Sequence, residues 1–145
     1  MYKRILLPTD GTKFCERAIR HGIDLAKIVG ASVVAVTVTR PLHSAVPRSV
    51  IPKNLAGIIN SETVKAADEK LAVIERLAQP AGVQTEKVRQ SNDHPWEAIL
   101  KTAKDKQCDL IVMASHGRRG VSALVLGSET QKVLAHSSIP VLVVR

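Results

Sequence analysis

Asp109-Leu110-Ile111-Val112-Met113-Ala114-Ser115-His116-Gly117-Arg118-Arg119-Gly120 is the stretch that decides the fold of this chain. Leu110 to Ala114 form an apolar run too short for a helix and about right for a fully buried strand. A glycine-bearing loop follows, and Gly127-Ser128 then opens a helical pattern. A buried strand that empties through such a loop into a helix N-terminus is a common phosphate cradle. Glycines let backbone N–H groups approach an anion, and the first N–H groups of a helix are unpaired and partially positive.

Working outward, strands and helices alternate along the chain. Residues 2–8 read as a first strand closed by Pro8, and Thr9, Asp10, Gly11 and Thr12 read as a turn with Thr12 placed to cap a helix. Cys15, Ala18, Ile19, Gly22, Ile23, Ala26 and Val29 recur at helical spacing, and Gly30 is the stop. Residues 32–39, rich in valine, read as a second strand. Residues 40–60 carry Pro41, Pro47 and Pro52 and read as an irregular excursion. Helical periodicity resumes near Ser61, with Val64, Ala67, Leu71, Ile74 and Leu77 on one face, until Pro80 and Gly82. A polar strand over 83–90 belongs at a sheet edge. Asp93 or His94 then caps a helix with Pro95 in its first turn and Trp96, Ile99, Leu100 and Ala103 inward. Beyond the opening stretch, Ser128 caps a last helix with Val133 and Leu134 inward, and Val141, Leu142, Val143 and Val144 form a fifth strand. With right-handed crossovers, this order makes an α/β fold: one doubly wound five-stranded parallel sheet with helices on both faces. No internal repeat, linker or low-complexity segment divides it, so residues 1–145 read as one domain.

Composition narrows the function classes. At 145 residues, with 45% apolar and 23% charged residues, the chain suits a single soluble domain. Aromatics make up only 2%, so the core is aliphatic, as in parallel sheets covered on both faces. No apolar run approaches the ~20 residues that span a bilayer, and the N-terminus does not form a signal peptide. The expected location is the cytoplasm, with Cys15 and Cys108 as buried reduced thiols. A net charge of +8 suits anionic small molecules. Nucleic acid is disfavoured, because the charges are scattered and few aromatics could stack bases. No catalytic constellation is recognisable: there is no nucleophile elbow, no Ser-His-Asp pattern and no second carboxylate patterned with Asp10.

In an open α/β sheet, ligands bind beyond the carboxyl ends of the strands, where strand order reverses. If strands one and four are neighbours there, Asp10 faces the Ser115-to-Gly120 loop across one crevice. A nucleotide fits, with its phosphates on the loop amides and Asp10 near the ribose or a bound cation.

Over nearly its whole length the chain resembles the universal stress protein family. Carrying the resemblance are Ile5-Leu6-Leu7-Pro8-Thr9-Asp10, residues 109–117, Gly127-Ser128, and Ile139-Pro140-Val141-Leu142-Val143-Val144. Nucleotide-binding members carry G-x2-G-x9-G-[ST]; here stand Ala114, Ser115, His116, Gly117, nine residues, then Gly127 and Ser128. Only Ala114 departs. In a left-handed backbone an alanine there costs on the order of 1 kcal/mol, whereas at the extended end of a strand its methyl is tolerated. The resemblance implies a Rossmann-like, adenine nucleotide alpha hydrolase-like fold and a regulatory stress-response protein that binds ATP with Mg²⁺ or Mn²⁺ and hydrolyses it slowly at most. It implies contacts from Pro8, Thr9 and Asp10, from Val38 beside the adenine, from Ala114, His116 and Gly117, and from Gly127, Ser128, Glu129 and Thr130; Arg118 and Arg119, beside the proposed phosphates, read either as phosphate contacts or as solvated loop charges. Asp10 is the residue placed for a metal carried by the nucleotide. For Glu129, whose charge opposes a triphosphate, the backbone N–H is the expected contributor. A homodimer through Val141 to Val144 is also implied. The alternative reading is a nucleotide-free interaction module of the same family.

Overall fold

The computed structural model describes residues 1–115 and 126–145. Five strands, β1 (Arg4–Pro8), β2 (Ser32–Thr39), β3 (Thr85–Ser91), β4 (Leu110–Ala114) and β5 (Val141–Val144), form one sheet in the order β3-β2-β1-β4-β5. Every pairing is parallel. Among the described residues, four α-helices, α1 (Lys13–Val29), α2 (Lys53–Ala78), α3 (Pro95–Asp105) and α4 (Ser128–His136), link them. The doubly wound sheet expected from the alternation is therefore present, and β1 and β4 are neighbours at the reversal of strand order.

Strand alternation sorts the core into two layers. Ile5 and Leu7 of β1 and Val112 of β4 pack with Ile19 and Ile23 of α1 and Leu71 and Ile74 of α2. Leu6, Val34, Val36 and Ile111 point the other way, onto Ile99 of α3 and Val133 of α4. Asp109 ties the start of β4 to the start of β1, because its carboxylate accepts the N–H of Lys3 at 2.8 Å and of Arg4 at 3.0 Å. The sole tryptophan, half-buried on the α3/α4 side, lies against the ring of His136 with centroids 4.6 Å apart.

Several expectations need correction. Helix α2 begins at Lys53, not near Ser61, and Pro52 sits at its N-cap. Its first turns bury little, so they lack the one-sided pattern that marks a packed helix. Val64 is 37% and Leu134 41% exposed, so neither faces the core. Strands β1 and β3 start two residues later than the patterning suggested. Gly127, not Ser128, occupies the N-cap of α4, and the Thr12 side chain makes no capping bond at α1. At α3, His94 holds the N-cap position without a side-chain bond. Asn92 accepts the N–H of His94 at 2.8 Å, and Glu129 of α4 accepts the N–H of Trp96 at 2.9 Å. That first turn is thus capped by a neighbouring helix.

Candidate functional site

At the carboxyl ends of the neighbouring strands β1 and β4, one side of the switch point is the β1–α1 turn. Thr9 is pinned twice to β2: its N–H donates to Val36 O at 2.9 Å, and its carbonyl accepts the hydroxyl of Thr37 at 2.9 Å. The second bond fixes the end of β2 against the turn and places half-buried Val38 one residue beyond the tie. Thr9 Oγ1 accepts the N–H of Gly11 at 3.1 Å. Asp10 Oδ1 accepts the Thr12 N–H at 2.9 Å, the Thr12 hydroxyl at 2.7 Å and the Cys15 thiol at 3.1 Å. An Asx-type turn therefore orients the Asp10 carboxylate. Gly11 has φ +83°, a backbone that favours glycine, and a Cβ there would lie 2.8 Å from Lys70 Cγ, so the lysine side chain would have to shift.

The other side is built at the end of β4. Ala114 is buried, paired with Val144 in parallel register, and belongs to the extended strand. Gln107 is the one non-glycine residue with positive φ among those described, so the alanine at the first motif position carries no left-handed strain. The Thr130 hydroxyl donates to Ala114 O at 2.9 Å, and the Gly127 N–H donates to Ser115 O at 2.7 Å. These bonds bring both feet of the β4–α4 connection together at the switch point. The first-turn amides of Ser128, Glu129 and Thr130 have no intrahelical acceptor by geometry, which leaves the positive end of the helix dipole there. Thr130 has its hydroxyl engaged, and the Glu129 carboxylate is engaged with Trp96 N–H and, at 3.4 Å, with Lys132 Nζ. For both, the backbone is the group directed to the helix start.

The structure thus brings Pro8, Thr9, Asp10 and Val38 to one side and Ala114, Gly127, Ser128, Glu129 and Thr130 to the other. His116, Gly117 and Arg118 lie outside the described residues. Sequence reasoning missed the Cys15 thiol and the Thr12 and Thr37 hydroxyls as supports of the turn. The i, i+2 spacing of Asp10 and Thr12 was the available signal for part of this.

Burial raises both thiols: Cys15, also beside the Asp10 charge, to about 11, and Cys108, near Asp109 and despite Arg4, to about 11. An unfolded thiol ionises near 9.0, so above that pH the unfolded chain releases protons that the folded chain keeps. Stability from the buried thiols is complete below pH 9.0 and is lost as pH rises through about 11. Urea midpoints across that window are expected to fall with pH. A Cys15→Ala, Cys108→Ala double variant is expected to show a shallower slope.

Among the described residues, no group of three or more His, Cys, Asp or Glu could hold a metal ion. One oriented carboxylate, Asp10, suits a Mg²⁺ that arrives mainly coordinated by phosphate oxygens and water. Nor is any helix among the described residues long and apolar enough to cross a membrane.

The fold and the sequence both have known relatives. The Usp model, the universal stress protein family, matches residues 1–145. Universal stress protein MJ0531 of Methanocaldococcus jannaschii is 32% identical over 146 residues, spanning 100% of this chain and 83% of that protein. A universal stress protein of Thermus aquaticus is 34% identical over 146 residues, spanning 100% of both. Among solved structures, MJ0577 of M. jannaschii superposes with a TM-score of 0.84 at 28% identity, covering 99% of this chain and 96% of the other. The chain belongs to the universal stress protein family.

Proposed function

We propose that this protein binds ATP, with Mg²⁺ or Mn²⁺ held chiefly by the triphosphate, and acts as a regulatory stress-response protein of the cytoplasm. The observation that carries the reading is the Gly127 N–H to Ser115 O bond of 2.7 Å. It holds the start of α4 against the end of β4, the neighbour of the β1 strand that leads into Asp10, which supports phosphates on α4 and Asp10 on the same ligand. Phosphates sit on the first-turn amides of α4, where the helix dipole favours negative charge. Val38 offers an apolar surface to the base, and the surplus of positive charge draws the anion in. Two proteins of the same fold support adenine nucleotides as the ligand class. One universal stress protein is described in complex with cAMP, at a TM-score of 0.72 and 21% identity. Another, from Archaeoglobus fulgidus, is described in complex with dAMP, at 0.72 and 18%. Hydrolysis, where it occurs, is slower than the ~1 s⁻¹ of a dedicated enzyme. The protein assembles as a homodimer through β5, each crevice lying within its own subunit, and requires neither nucleic acid nor membrane.

Equilibrium dialysis of purified protein against Mg²⁺-ATP tests the reading, and absence of binding at millimolar nucleotide sinks it in favour of a nucleotide-free interaction module. Asp10→Ala is expected to weaken binding by roughly 1–3 kcal/mol. Asp10→Asn, which keeps an acceptor for Thr12 and Cys15, separates the loss of charge from the loss of the turn. Gly127→Leu is expected to abolish binding with the circular dichroism spectrum unchanged.

A further inference from the structure

A cleft of about 670 Å³ opens beyond the carboxyl ends of β2 and β3, between the 40–52 strap and the first half of α2. None of the residues assigned to the nucleotide lines it. Its charge is one-sided: Arg40, Arg48, Lys53 and Arg89 line it, and no Asp or Glu does. Asp68 lies 3.5 Å from Arg89, but both side chains are well exposed and such a pair offsets little. The inner wall is apolar, formed by Leu42, Ile51, Ile59 and Ala67.

Three prolines and one side-chain bond restrain the strap. Pro41, Pro47 and Pro52 fix its φ angles at −58°, −56° and −57°. The Ser44 hydroxyl donates to Asp93, and the Asn92 N–H donates to Thr39 O at 3.0 Å. Both bonds anchor the β2 side to the β3–α3 connection. The cleft falls within the usual size of a small-molecule site, about 300–1,000 Å³. Cations gathered with a single, exposed counter-charge repel one another, and an anion relieves that repulsion. An apolar wall behind them selects a ligand with an apolar body.

We propose that this cleft binds a small amphiphilic anion, a short alkyl chain carrying a phosphate or carboxylate, independently of the nucleotide crevice. The head group engages Arg40 and Arg48, and the chain lies along Ile59 and Ala67.

Isothermal titration of the full chain with hexyl phosphate at low salt tests this, with hexanoate to compare head groups and inorganic phosphate and hexanol as controls. Saturable binding of hexyl phosphate or hexanoate is expected, with neither control binding at the same concentration. An Arg40→Glu, Arg48→Glu variant is expected to bind about tenfold more weakly or worse. Both side chains belong to exposed residues, so the fold is retained. Failure of both amphiphiles to bind at millimolar concentration overturns the proposal, as does unchanged affinity in the variant. Displacement by Mg²⁺-ATP also overturns it, making the cleft part of the nucleotide site. Binding confined to anionic vesicles overturns it in favour of a membrane surface.

Discussion

A Gly22→Val variant is expected to lose about 3 kcal/mol of stability, at or above the top of the usual range for overpacking. Gly22 is a buried position on α1, where the helix crosses β1. A Cβ there would overlap Leu7 Cδ2 and stand 3.4 Å from Leu7 Cδ1. Leu7 is fully buried, so it has nowhere to retreat. Gly57, in the first turns of α2, supplies the contrast, since a Cβ there meets nothing within 4 Å. Replacing an unconstrained helical glycine by alanine gains roughly 0.5–1 kcal/mol. Gly57→Ala is therefore expected to stabilise, and Gly22→Ala to destabilise because overpacking at about 1–3 kcal/mol outweighs the propensity gain. Urea unfolding of these variants decides the matter; equal midpoints for Gly22→Ala and Gly57→Ala would show that α1 shifts freely on the sheet. Such freedom would also unsettle the site, because α1 starts beside the turn that Asp10 holds.

The contrast between those glycines shows which parts of the fold were legible in the sequence. Leu110 to Ala114 announce a buried strand because both faces of β4 are covered, leaving no alternation to obscure. In α1, Cys15, Ala18, Ile19, Gly22, Ile23 and Ala26 fall on one buried face, so periodicity and packing agree. The first eight residues of α2 defeated the same reasoning. Asn54, Gly57 and Asn60 are poor helix formers, while Leu55 and Ile58 are 44% and 60% exposed, so neither propensity nor a buried face marks the segment. Pro52 was the remaining clue, since proline is tolerated at a helix start. In the candidate site, the Thr9-to-Thr12 turn around Asp10 was recognisable, and the start of α4 was placed one residue late, at Ser128 rather than Gly127. Glu129 was not legible as a cap for α3, because that bond joins residues 33 positions apart and depends on how two helices pack. The basic cleft was equally hidden, since Arg40, Arg48 and Arg89 converge only when β2 and β3 pair.

The two edges of the sheet differ in a way that bears on assembly. At one edge, β3 carries Glu86, Lys87, Arg89 and Gln90, a charged strand that discourages further pairing. At the other, β5 offers Val141, Leu142, Val143 and Val144, all half-buried, and among the described residues its one partner in the sheet is β4. Leu142 and Val144 pack toward α1 and Val141 toward the opposite core, so the strand is anchored on both faces, and among the described residues no further strand pairs with its outer edge. A second copy presenting the same strand across a two-fold axis would pair those backbone groups and cover the valines. Light scattering at tens of micromolar is therefore expected to give about twice the 15.7 kDa chain mass. Val143→Lys would place facing ammonium groups close to that axis, where like charges opposed across paired strands destabilise the contact. Val143 is not fully buried in the single chain, so the variant's lysine can reach solvent without unfolding its own subunit. The expected product is a folded monomer, or insoluble protein where the exposed edge finds other partners. A wild-type monomer at the same concentration would show that the edge needs no second copy, and the dimer through β5 would have to be abandoned.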